Sequence, residues 1–169
     1  MPERAAVDDL ETILAFLDEI ELPASEGFVP TDSFLPGIRI ERGTLVLDRL
    51  ALRWPGDLLH EAGHIAVTPS ALRPALDDAL EASVPVPHAG EAEATAWAYA
   101  AIARLRLHPS VLFHEGGYRG HSPGLVMSYS CGVYPGAFGL AQAGMTVIGA
   151  EARQAGVPPY PWMTRWLRE

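Results

Sequence analysis

Leu10, Ile13, Leu14, Leu17 and Ile20 recur three and four residues apart, which predicts an amphipathic helix over residues 8–20. Pro23, Pro30 and Pro36 interrupt the chain from Leu22 to Gly37, which reads as a loop. Alternation returns at Ile38 and Ile40. A turn at Arg42-Gly43 and the run Thr44-Leu45-Val46-Leu47-Asp48 complete a predicted β-hairpin. Pro55-Gly56-Asp57 has the composition of a helix start, and residues 58–67 continue as an apolar helix stopped by Pro69-Ser70. A second, more exposed helix is expected over residues 71–82, opening at Ser70, followed by an extended segment over 83–90. The alanine-rich stretch 91–107 is the longest helical pattern, ended by His108-Pro109. Glycine and aromatic residues dominate 113–120 and 128–139. A short helix is expected over 137–143, and a terminal helix carrying Trp162 and Trp166 after Pro158-Pro159-Tyr160-Pro161.

No internal repeat and no low-complexity linker interrupts this pattern, so residues 1–169 read as one domain. The expected class is α+β, mostly helical, with a small β-hairpin or sheet packed on the helix at 58–67.

Charge narrows the function. Twelve basic against 21 acidic residues give a net charge of −9. A chain this acidic offers no surface for nucleic acid. All the basic residues are arginine, which removes every mechanism built on a lysine. The single cysteine, Cys131, excludes an internal disulfide and a cysteine-rich zinc site. It lacks a basic neighbour and reads as a small hydrophobe. The first residues have neither a basic region nor an apolar core of the secretory kind, and no apolar run is long enough to span a bilayer. A cytoplasmic protein without membrane association is the expectation.

The chemistry concentrates in His60-Glu61-Ala62-Gly63-His64, an H-E-x-x-H motif inside an apolar helix. Residues four apart stand one turn above each other on the same helix face, so both imidazoles can reach one metal ion. Histidine and glutamate are costly among Leu58, Leu59, Ile65, Ala66 and Val67 unless they have partners. Zinc takes neutral imidazole nitrogen and lowers the pKa of its bound water, and Glu61 is the adjacent base that can take the proton. The plainer reading is a pair of core histidines hydrogen-bonded to Glu61. The same donors also suit nickel, cobalt or iron.

The motif resembles that of the zincin metallopeptidases. It departs from the metzincin extension, with Val67 in place of the glycine and Ser70 in place of the third histidine. It is similar to the gluzincins, whose third ligand is a glutamate on a later helix. Glu91, 27 residues after His64, opens such a helix. The resemblance therefore implies a zincin-like fold of minimal length and a Zn2+ cofactor held by His60, His64 and Glu91, with Glu93 as the alternative to Glu91. Glu91 and Glu93 are roughly 200° apart around a helix, so one of them faces the metal. Glu91 shares its face with Ala94, Thr95, Ala98 and Ile102, and Glu93 with Ala96, Trp97, Ala100 and Arg104. Thr95 stands where gluzincins carry an aspartate that supports a ligand histidine, which weakens that support here. The implied activity is hydrolysis of a peptide or protein substrate, its extended backbone received along a strand edge at Thr44 to Asp48. The alternative is a metal-binding sensor or partner-binding module with little turnover.

A second polar cluster, Phe113 to Ser122, contains His114, Tyr118, Arg119 and His121 between glycines. A zinc hydrolase needs a donor opposite the metal for the developing oxyanion, and Tyr118 and His121 are the candidates with Arg119. His114 or His121 would be a substitute ligand, and His88 reads as a loop residue. The terminal aromatic residues permit a homodimer.

Overall fold

A computed structural model describes residues 2–77 and 86–169. The chain opens with helix α1 (Pro2–Glu19), whose Leu10, Ile13, Phe16 and Leu17 are buried as the apolar spacing requires. Strands β1 (Ala24–Glu26), β2 (Ile38–Glu41) and β3 (Thr44–Leu47) form one sheet in the order β1-β3-β2. β2 and β3 are the expected hairpin, antiparallel, with Ile38 opposite Leu47 and Ile40 opposite Leu45. These four side chains are buried, and β2 and β3 pack on helix α2 (Pro55–Val67). β1 was not visible in the proline-broken loop. It pairs in parallel with β3, Ser25 opposite Val46, and consists of three residues without a hydrophobic alternation of their own. Its presence makes β3 the central strand, so the segment from Thr44 to Asp48 is not an open edge for an extended substrate.

α2 runs from the extended Trp54, with Pro55 in its first turn, and is buried along nearly its whole length. Within the described part of the helix expected over 71–82, residues 71–77 form only a 3₁₀ turn at Arg73–Ala75, because Pro74 cannot donate a helical hydrogen bond. The rest of that expected helix and the start of the expected extended segment, residues 78–85, lie outside the described residues.

α3 (Glu91–Leu105) is the second central helix and packs extensively on α2. It stops two residues early, where Arg106 turns left-handed and the Leu107 amide reaches back to the Ile102 carbonyl. The last third folds as short helices: α4 (Pro109–Leu112), α5 (Ser122–Ser130), α6 (Ala137–Gln142) and α7 (Gly149–Ala155), with a 3₁₀ turn at Tyr118–Gly120. Only α6 was anticipated. The expected terminal helix around Trp162 and Trp166 is absent. That segment is instead tied to 145–147 by the Thr164 amide on Met145 and a bridge between Thr146 and Met163. The architecture is α+β, with one buried cluster joining α1, the sheet, α2, α3 and the terminal segment. Among the described residues no helix is long and apolar enough to cross a membrane.

Candidate metal centre

His60, Glu61 and His64 all sit on α2, on the side that faces the start of α3. Their candidate ligand atoms lie within 4.8 Å of one another. His64 and Glu61 are buried, and His60 is half-buried. The two rings stand nearly perpendicular, at 87°, with their Nε2 atoms 3.2 Å apart.

The start of α3 supplies the third group. The Gly90 amide donates to the Glu93 carboxylate at 3.1 Å, so Glu93 caps its own helix. The other Glu93 oxygen lies against Gly139, where a methyl group would come within 2.0 Å of it. Glu91 is thereby left to project toward α2. Its Oε1 is 3.1 Å from His64 Nε2 and its Oε2 is 3.3 Å from His60 Nε2. The structure thus brings Glu91 to the imidazoles and engages Glu93 elsewhere. The sequence faces favour Glu91 only weakly, because Ala94 to Ala98 are all buried and α3 has no single inner stripe.

These separations test the fit of a metal. Zinc bonds of about 2.0–2.1 Å in a tetrahedral arrangement hold ligand atoms roughly 3.3 Å apart. The three observed separations, 3.1, 3.2 and 3.3 Å, match that edge length. The donor set of two imidazoles and one carboxylate is one that catalytic zinc uses. Hydrogen bonds from both histidines hold the Glu91 carboxyl well below the ordinary carboxylate range, with burial opposing them. Its side chain is nevertheless 75 % exposed, so the cluster opens to solvent on the α3 side.

Tyr118 reaches the same cluster from the glycine loop. Its hydroxyl is 3.4 Å from His60 Nδ1, and its ring meets the imidazole edge-on. The hydroxyl is also within hydrogen-bond reach of Thr95. Burial, with the Asp57 charge nearby, pushes the phenol far above its usual value, so it remains a neutral donor. His121 is exposed and contributes backbone bonds, from its amide to Tyr118 and from Leu125 to its carbonyl. Among the described residues its side chain does not meet His60, His64 or Glu91, and Arg119 is likewise exposed. The His88 carbonyl accepts from Arg168.

Among the described residues, His114 is engaged with Asp57 and not with His60, His64 or Glu91. Its Nε2 lies 2.7 Å from Asp57 Oδ1, and both side chains are buried. The sequence places Asp57 only at a helix start and not in the site, although it stands three residues before His60 on the same helix face. That spacing was the available signal; its partner, 57 residues away, carried none.

Compared with known protein families, with curated proteins and with solved structures, the chain matches none.

Proposed function

We propose that this chain is a zinc-dependent hydrolase of gluzincin-like, minimal zincin type that cleaves peptide bonds. The observation that carries the reading is the near-equal spacing of His60 Nε2, His64 Nε2 and the Glu91 carboxylate. A zinc-class ion bound there supplies Lewis-acid polarisation of a carbonyl and makes water more acidic. Glu61, buried beside the ligand atoms, accepts the proton of the attacking water and passes it to the leaving amine. Tyr118, kept protonated by burial, donates a hydrogen bond to the carbonyl oxygen as that oxygen gains charge. His60 turns its Nδ1 toward the phenol, which leaves Nε2 to act as ligand. A metal-binding module without turnover is the second reading, and Thr95 in place of an aspartate favours it.

Metal content of the purified chain, measured by plasma mass spectrometry beside His60→Ala, tests the centre. About one zinc per chain, lost in the variant, is the expected result. Turnover of a peptide library then separates the readings. Glu61→Gln should retain the metal and lower the rate by about 10²–10⁴-fold. Zinc binding with no hydrolysis by the unaltered chain would leave the binding module standing.

A further inference from the structure

We propose that Asp57 and His114 are positioning residues for Tyr118: their buried bond ties the glycine loop to α2 one turn below His60 and holds the phenol against that imidazole. The catalytic consequence rests on the hydrolase reading, whereas the contact itself does not.

Asp57 and His60 project from one face of α2 a turn apart. The His114–Asp57 bond is 2.7 Å long, with the side chains 4 % and 10 % exposed. The His114 ring also stacks on Trp54, at 4.6 Å between centroids and 11° between planes. Trp54 is the residue from which α2 starts. The loop is therefore registered on the first turn of α2 through a directional bond and a stack. The chain then passes over these rings. A methyl group at Gly117 would sit 3.0 Å from His114 Cε1, and one at Gly116 would sit 2.7 Å from Trp54 Nε1. Glycine allows that approach. The His114 carbonyl accepts from Ser122 Oγ at 2.6 Å and from the Gly117 amide at 3.3 Å, closing the loop on itself.

What this frame holds is strained. Tyr118 and Arg119 have φ of 52° and 51°, in the left-handed region that favours glycine. Such conformations persist where their surroundings over-determine them, and they gather where a side chain must be aimed. The side chain aimed here is Tyr118, 3.4 Å from His60 Nδ1. While its Nε2–H is given to Glu91, His60 accepts from the phenol at Nδ1; with Nε2 offered as a ligand, Nδ1 carries the proton and donates it to the phenol oxygen. The phenol's own proton is then available to Thr95 or to a carbonyl oxygen. Packing alone would fill the same volume. The His114–Asp57 bond adds a fixed register of loop on helix.

The test uses the whole chain, free of metal, with its histidine nitrogens isotopically labelled. Long-range proton–nitrogen spectra read the His60 ring, and zinc affinity is read separately by competition with a chelator. Tyr118→Phe should shift the His60 Nδ1 signal and weaken zinc binding by roughly tenfold. His114→Gln should reproduce both effects. Adding Tyr118→Phe to it should change neither by more than about twofold, because the two residues then act as one unit. Removing one partner strands the other, so the paired replacement Asp57→Leu with His114→Phe is the variant that keeps the fold. It should melt cooperatively and still lose the His60 signature. Asp57→Asn retains an acceptor oxygen and should retain the signature. An unchanged signature in His114→Gln and in the paired variant overturns the proposal. So do effects that multiply with those of Tyr118→Phe, or loss of the fold in every variant of the pair. Because the spectra need neither metal nor substrate, they can uphold these positioning roles even where zinc binding or hydrolysis fails.

Discussion

At Gly63 the motif helix meets α3 so closely that a methyl group would lie 2.6 Å from the Ala94 carbonyl oxygen. The neighbour is backbone, so the collision cannot be relieved by a rotamer. Gly63→Ala should therefore separate α2 from α3 and cost about 1–3 kcal/mol. His64 stands on one of these helices and Glu91 on the other, so zinc affinity should fall with stability. Gly124→Ala is the control: it faces open space in α5 and should be neutral or stabilising by about 0.4–1 kcal/mol. Denaturant midpoints of the two variants, measured side by side, check both values, and equal midpoints would contradict the close approach. The same residues mark how far the site could be read in advance. His60, Glu61 and His64 announce themselves by fixed spacing on one helix. That Glu91 rather than Glu93 meets the imidazoles goes with a cap that Glu93 makes with Gly90, and the Asp57–His114 bond joins residues with no local pattern in common.

The C-terminal end of α2 is held by two arginines, Arg73 shortly after it and Arg168 from much further along the chain. Arg73 Nε donates to the carbonyls of Ile65 and Thr68 at 3.2 and 3.1 Å, and its terminal nitrogen reaches the Arg168 carbonyl. Arg168 donates through its side chain to Val67 at 3.2 Å and through its amide to Ala66 at 2.9 Å. Cations there complement the helix dipole and cover carbonyls that have no helical partner. The strap is fixed further by Trp97 Nε1 on the Trp166 carbonyl at 2.8 Å. Arg168→Ala keeps the amide bond to Ala66 but takes the side-chain donor from the Val67 carbonyl, and should cost about 1–2 kcal/mol. A melting curve of that variant checks the value, and an unchanged midpoint would show that the strap contributes nothing to α2. These tertiary bonds also explain why a terminal helix was the wrong expectation: Trp166 packs on Phe16 and Trp97 while Trp162 stays exposed, so the two tryptophans do not share one helix face. The hairpin and the start and end of α2 were legible because alternation, Pro55 and Pro69 act within a few residues. β1 was not, because its strand character comes from pairing with β3.

Across the whole molecule, the aromatic residues of the last third form the layer that closes over α3. Tyr99, Tyr129 and Tyr134 pack on one another with ring centroids 4.6 to 6.0 Å apart, and Tyr134 packs on Tyr160 at 4.8 Å. Tyr129 donates to the Pro135 carbonyl and Tyr160 to the Ala96 carbonyl, so both hydroxyls need their protons in the fold. Burial accordingly pushes Tyr129 and Tyr160 well above the ordinary value of 10.0, with neighbouring phenols adding to the shift. The sign follows from linkage. A group whose pKa is raised by folding gives its stabilisation in full below the unfolded value and loses it as pH rises toward the folded value. Stability should therefore be level up to about pH 9 and fall above pH 10. Two buried phenols together cost about 2 kcal/mol for the first unit above that point. Urea unfolding at a series of alkaline pH values reads the loss directly, and phenolate absorbance reads its cause. The absorbance of these two residues should appear together with the loss of helical signal, in one cooperative step. Phenolates that form near pH 10 while the helices stay intact would show that the layer is open to solvent and does not seal α3.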